Sequence, residues 1–315
     1  MTNIPSTEDR IWSVLSHLSA LAFGIGILLP VVGWSDQRRK SKYASFQCLQ
    51  ALGYQSLGYT IWILLTLVVI LALIFIMIPP ILNADANGGD VDSVIGRWMI
   101  VIFIAMFGLM GLYVIFPMMA AIHSVLGRDY RYPILGNRLA RYLDYDSTNE
   151  ERLNEDHEDR WVAAMGHFSV IIAIWGMLAP LTTWMLQGKR SLFLKFQSIQ
   201  TLVFQAGTFL LYFGAGFVYM IGFVSLIATT GLIGESGLGS PAGMFGFILF
   251  IAASLITIVI ILLIPFLHIL GQYAGYRVLK GDDYRYPLVG RLVEKWISKT
   301  TLKPPSPAAE TTARL

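Results

Sequence analysis

Six stretches of this chain contain no Asp, Glu, Lys or Arg: 25 residues after Arg10, 42 after Lys42, 30 after Arg97, 28 after Arg160, 39 after Lys195 and 41 after Glu235. A helix needs about 20 apolar residues to cross the hydrocarbon core of a bilayer. Every block is long enough, so the pattern predicts an all-α, polytopic helical membrane protein. The polar positions that interrupt the blocks are not scattered. Glu8, Asp9, Arg10, His17 and Ser19 recur 150 positions later as Glu158, Asp159, Arg160, His167 and Ser169. The same offset pairs Pro30 with Pro180, Trp34 with Trp184, Gln47 with Gln197, Gln50 with Gln200 and Gln55 with Gln205. The phrase "DYRYP" at 129–133 returns at 283–287, now offset by 154. An internal repeat of this length means a duplicated structural unit. The expected organisation is a first membrane unit at 1–146, a charged linker at 147–157, a second unit at 158–299, and a disordered C-terminal tail at 300–315.

Composition agrees with the pattern: 55% of residues are hydrophobic and 14% charged, against roughly 25% charged in an average soluble domain. The acidic start, "MTNIPSTEDR", lacks the basic region of a secretory signal, so the first block is expected to persist in the mature protein. The single cysteine, Cys48, excludes an intrachain disulfide and a multi-thiolate zinc site.

The distribution of positive charge chooses between two topologies. If all six blocks cross once, Lys and Arg divide 13 to 10 between the two sides. If the first block of each unit enters and returns on one side, 22 of the 23 fall on a single face and only Arg97 remains opposite. Because short cytoplasmic loops are enriched in Lys and Arg, the favoured arrangement has four full spans plus two re-entrant segments. Breaks are then expected near Gly24–Gly26 or Pro30, and near Gly176 or Pro180. Six spans forming an inverted repeat is the alternative. The units are expected to pack face to face about a pseudo-two-fold axis. Basic loops and both termini would be cytoplasmic, in a bacterial inner membrane.

Three sets of residues carry candidate chemistry. His17 and His167 lie inside hydrophobic blocks, where ionisable groups are costly, although a neutral imidazole bonded to a neighbouring helix is the favoured reading. Gln47, Gln50, Gln197 and Gln200 are read as interhelical hydrogen-bond donors and acceptors, with a polar lining as the sharper alternative. In the repeated phrase, Asp129, Tyr130, Arg131, Tyr132 and Pro133, with Asp283, Tyr284, Arg285, Tyr286 and Pro287, read as an anchor at the headgroup level and a helix stop. A docking site for a soluble partner is the competing reading. His123 and His268 do not match between the copies and are read as incidental. Short amphipathic runs follow each phrase, "ILGNRLARYL" and "LVGRLVEKWI", and suit an anionic membrane surface.

With "WSVLSHLSAL" (Trp12 to Leu21), "FQCLQA" and "FQSIQT" (Phe46 and Phe196 onward) and the two "YRYP" phrases in view, each unit resembles a family of bacterial membrane proteins of unknown function. That family is related to the channel-forming subunit of the chloroplast inner-envelope protein translocon. Gln47 and Gln197 stand where that family commonly has His. The resemblance implies an even number of spans with both ends on one side.

No nucleotide loop, zinc-protease or nucleophile-elbow signature is present. No catalytic residue, metal site or cofactor is therefore expected, and the protein is read as not an enzyme. The expected function is a membrane scaffold or a component related to protein translocation or insertion; the alternative is a small-solute or ion transporter. Expected partners are the lipid bilayer and, beyond it, other membrane proteins or translocating chains, with no nucleic acid.

Overall fold

The computed structural model describes residues 5–86, 89–148, 152–232 and 237–301. All regular structure among them is helical. The predicted tail falls outside the described residues beyond Thr301, as does the tip of each loop between the long helices.

Each unit is built in the same order. In the first, α1 (Thr7–Leu18) leads through a 3-10 segment (Ser19–Ile27) to α2 (Leu28–Gln37), then to the long α3 (Lys42–Ala86) and α4 (Val91–Val125), and ends in the short α5 (Leu135–Tyr142). The second repeats this as α6 (Glu155–Phe168), a 3-10 segment (Ser169–Met177), α7 (Leu178–Gln187), α8 (Leu192–Ile227), α9 (Pro241–Leu279) and α10 (Val289–Thr301). Helix starts follow local chemistry. Ser6 and Asp9 form a reciprocal capping box on α1, and Asn154 accepts from the Asp156 and His157 amides at α6, satisfying N–H groups that have no intrahelical partner.

Six stretches are long and apolar enough to cross a membrane, but the first of each unit is bent back on itself. Phe23 has φ 49° and Ala173, its counterpart, φ 52°. The chain reverses there, and Gly26 and Gly176 lie so close to the Ser19 and Ser169 carbonyls that a Cβ could not be accommodated. The carbonyls released at the break are recaptured: Gln55 Nε2 donates to Ser16 O (3.2 Å) and Ser19 Oγ (2.9 Å), and Gln205 Nε2 to Gly166 O (2.8 Å) and Ser169 Oγ (3.2 Å). Pro30 and Pro180 sit in the first turn of the returning helix, where a missing N–H costs nothing. The ends of the first block meet, with Gln37 Nε2 donating to Glu8 Oε1 at 2.9 Å. In the second block Gln187 and Glu158 both reach Arg38. The first block of each unit is thus a hairpin of two half-helices, as the charge division favoured.

Around these hairpins lies the core. The first third of α3 and of α8 is buried against them, while the rest of each, with α4 and α9, exposes Leu, Ile, Phe and Val to the surroundings. At 1.5 Å per residue α3 is about 67 Å long, more than twice the hydrocarbon thickness. Its lower part therefore lies in the protein core, and its upper part pairs with α4 as an apolar hairpin.

The units meet through equivalent elements, α2 against α7 and the two 3-10 segments against each other, as a face-to-face pairing requires. The pairing is not fully symmetric: a strict two-fold would make α8 hold α1 as α3 holds α6, and while α3 packs closely against α6, α1 and α8 make no comparable contact.

Candidate functional site

The two "DYRYP" phrases do not lie flat at a headgroup level. Each is drawn down onto the start of its unit's second block. Tyr132 and Tyr286 are both 2% exposed, and their hydroxyls reach His17 Nδ1 (2.9 Å) and His167 Nδ1 (3.0 Å). The other ring nitrogen of each histidine meets Gln47 Oε1 or Gln197 Oε1, both at 3.0 Å.

Directions follow from the glutamines. Gln47 Nε2 donates to Asp129 Oδ1 (2.9 Å) and to Tyr130 O (3.1 Å), so its Oε1 faces the imidazole as an acceptor. His17 therefore carries its proton on Nε2, and Nδ1 accepts from the Tyr132 hydroxyl. Gln50 closes the ring: its Nε2 donates to Gln47 Oε1 (3.1 Å) and Tyr130 O (3.0 Å), and its Oε1 accepts from the Tyr132 amide (2.9 Å). The second unit repeats every link, with Gln197 donating to Asp283 Oδ1 (2.7 Å) and Tyr284 O (3.2 Å), and Gln200 reaching Gln197, Tyr284 O and the Tyr286 amide. Thr201 adds a hydroxyl 3.0 Å from His167 Nδ1 and 3.2 Å from Nε2, where the first unit has Ala51.

All six intramembrane candidates and the Asp and Tyr residues of both phrases thus belong to two copies of one network. Arg131 and Arg285 remain at its exposed rim, paired to Asp129 and Asp283 at 3.4 and 3.5 Å, while Pro133 and Pro287 are exposed. The Asp129 side chain is 22% exposed. Partial burial holds its carboxyl above the usual value, against the opposing pull of Arg131, Tyr145 and Gln47. Of the two unmatched histidines, His268 accepts from or donates to Tyr212 at 2.6 Å, and His123 lies beside Tyr130.

Chemically the network is saturated. A histidine whose two nitrogens are both hydrogen-bonded has no lone pair to offer a metal, and no group of three or more His, Cys, Asp or Glu is gathered for metal binding among the described residues. A fully satisfied buried polar network fixes one arrangement of the elements that contribute to it. Here those elements are the hairpin, the second block and the segment after the third.

A second polar cluster joins the units, and sequence reasoning missed it. Arg38 at the end of α2 meets Asp159 (2.8 Å), Glu158 (3.7 Å) and Gln187 Oε1 (3.3 Å), stacks on Trp34, and is almost fully buried. Trp34 Nε1 donates to Glu158 Oε1 at 3.2 Å. The available signal was the mismatch of Arg38 with Gly188, between the matched pair Gln37 and Gln187 and the basic pairs Arg39 with Lys189 and Lys40 with Arg190.

The model of the magnetosome magnetite crystal formation protein family matches residues 8–139 and again 158–293. The chain belongs to that family. Its two matched segments coincide with the two structural repeats, so the family model is met once in each repeat. The resemblance to relatives of the chloroplast translocon channel is overturned by this match, and the translocon-like reading falls with it. Comparisons with curated proteins and with solved structures each found no match.

Proposed function

We propose that the protein is a non-enzymatic integral membrane scaffold for magnetite crystal formation, built from two fused family units. The observation that carries this reading is the family match through both repeats. The geometry supports it, because the only intrablock histidines common to both units are buried and committed to tyrosine and glutamine. In this reading the termini and the basic loops face the cytoplasm, because folded-back first blocks are the arrangement of the sequence in which positive charge is concentrated on one side, as short cytoplasmic loops favour. The opposite face, in this reading, carries Asp90 and Asp92.

The test is deletion of the chain in the source organism, with electron microscopy of the crystals and fractionation of the tagged protein. Altered crystal size or shape, restored by the intact chain, is the expected result. Unchanged crystals, together with a protein absent from the crystal-bearing membrane, would overturn the proposal.

A further inference from the structure

The interface between the two units reveals a vacancy of the same kind at the other end of the chain. In the first unit α3, α5 and α2 form a groove that receives α6. Trp161 enters it, donating from Nε1 to Leu49 O at 2.9 Å, lying against Gly53 and stacking obliquely on Tyr142. Trp34 closes one side by bonding Glu158. The second unit has the same groove, about 400 Å³ in volume, between α7, α8 and α10, lined by Trp184, Ile199, Leu202, Val203, Val293 and Trp296. By the repeat offsets these are the counterparts of Trp34, Leu49, Leu52, Gly53, Leu139 and Tyr142. In this chain it is open.

The matching knob is also present and also uncovered. Trp161 and Met165 of α6 are 6% and 0% exposed; their counterparts on α1, Ile11 and Leu15, are 52% and 41% exposed. We infer that the open groove of one chain receives α1 of a second copy of this chain, repeating between molecules the contact that α6 makes within one.

Side-chain sizes at the crossing favour this occupant. The internal contact sets Trp161 against Gly53, which has no side chain to obstruct the indole. The open groove has Val203 in place of Gly53, and the exposed helix has Ile11 in place of Trp161. The large partner became smaller where the small partner became larger, as close packing between apolar helices requires. Charge is only partly kept: Glu8 and Asp9 occupy the places of Glu158 and Asp159, while the place of Arg38 is Gly188 and the cations nearest it are Lys189 and Arg190, which follow it in the chain. The contact is heterologous, so its repetition closes into a ring or extends into an array. It goes beyond the proposed role and does not depend on it.

Two differently tagged chains, both Cys48→Ser, are co-expressed, one with Ile11→Cys and the other with Val203→Cys. Both positions are surface-exposed, at 52% and 43%, so neither change repacks the core. Oxidation in native membranes is expected to join the two tags, and to join nothing when either chain is expressed alone. Polymer-extracted native particles are expected to hold two or more 35.1 kDa chains, falling to one with Val203→Trp. Three results would overturn the inference: crosslinking of Ile11→Cys chains to one another as efficiently, which indicates a symmetric pairing; single-chain particles without a crosslink, which leaves the groove to lipid; or association unaffected by Val203→Trp.

Discussion

Gln47→Leu and Gln197→Leu delete the same residue from the two copies of the network, yet their costs should differ. In the first unit Gln47 is the acceptor for His17 Nε2–H and a donor to the Asp129 carboxylate. Tyr130 O keeps its bond from Gln50, and Asp129 keeps Tyr145 and Arg131. The losses are therefore two buried donors left unpaired, His17 Nε2–H and one Gln50 Nε2–H, about 1–3 kcal/mol each, and one bond to a charged acceptor, about 1.5–3 kcal/mol. Together these amount to about 3.5–9 kcal/mol. In the second unit Thr201 Oγ1 lies 3.0 Å from His167 Nδ1 and 3.2 Å from Nε2 and gives its own proton to Gln197 O, so once Gln197 is gone a small rotation of the imidazole brings its Nε2–H onto the lone pairs of that hydroxyl. Gln197→Leu should cost about 2 kcal/mol less than Gln47→Leu, and adding Thr201→Ala should restore the difference. The assay is SDS-driven unfolding of the purified protein in mixed micelles, followed by tryptophan fluorescence and near-UV circular dichroism. The reasoning fails if Gln197→Leu is as damaging as Gln47→Leu, or if Thr201→Ala adds nothing in its background.

Further outcomes follow from the breaks, the interface and the charges. Ala173→Gly should raise stability by about 1 kcal/mol, because alanine at φ 52° is strained and glycine is not; Gly176→Ala should destabilise by more than that through its clash with Ser169 O. Both are read by the same unfolding assay. Arg38→Ala should cost about 3–5 kcal/mol, since it leaves the buried Glu158 and Asp159 without their cation; an effect under 1 kcal/mol would place those carboxylates in contact with water. With Cys48→Ser, single cysteines at Ser41 and Ser191 should label from one membrane face and one at Gly89 from the other; labelling of Ser41 and Ser191 from opposite faces would contradict the hairpins. The raised Asp129 carboxyl binds its proton more tightly in the folded than in the unfolded state. Its contribution to stability is complete below the ordinary carboxyl value and is lost as pH rises through the raised one. Asp129→Asn should remove that slope from an acid-range stability profile.

The parts of the fold governed by length and counting were legible in the sequence. Six charge-free blocks, a 150-residue offset and the lopsided distribution of Lys and Arg determine an all-helical duplicated membrane protein with folded-back first blocks. The break was expected at Gly24–Gly26 or Pro30 and occurs at Phe23, because the glycine is needed where the chain passes Ser19 O, three residues beyond the turn itself. His17, Gln47 and Tyr132 were each marked, but as separate features. Their pairing spans 115 residues, and helical periodicity carries no information about partners at that separation. What did carry it was joint repetition: His, both Gln residues and Tyr reappear together while the apolar residues between them change. Tyr132 illustrates the ambiguity physically. An amphipathic ring with a polar tip suits a headgroup layer and a buried acceptor equally, and only the position of His17 decides between them.

Comparison of the two copies separates what every unit must keep from what position in the pair has altered. The network links recur with the same residue types, including His, two Gln, Asp and Tyr. Since removing one member of a buried network strands the others, these positions change together or not at all. The surface positions behave differently. Gly53 and Val203, Trp161 and Ile11, Arg38 and Gly188 are paired by the repeat yet differ in volume or charge, and the first of each pair lies where the two units meet. A hidden polar clamp sets the shape of each unit, while the positions at the seam between the units have diverged with their place in the pair. Arg38 makes the distinction measurable: its loss should loosen unit from unit while leaving the His17 and His167 clamps intact, whereas Gln47→Leu should loosen the first unit internally and leave the Arg38 cluster in place.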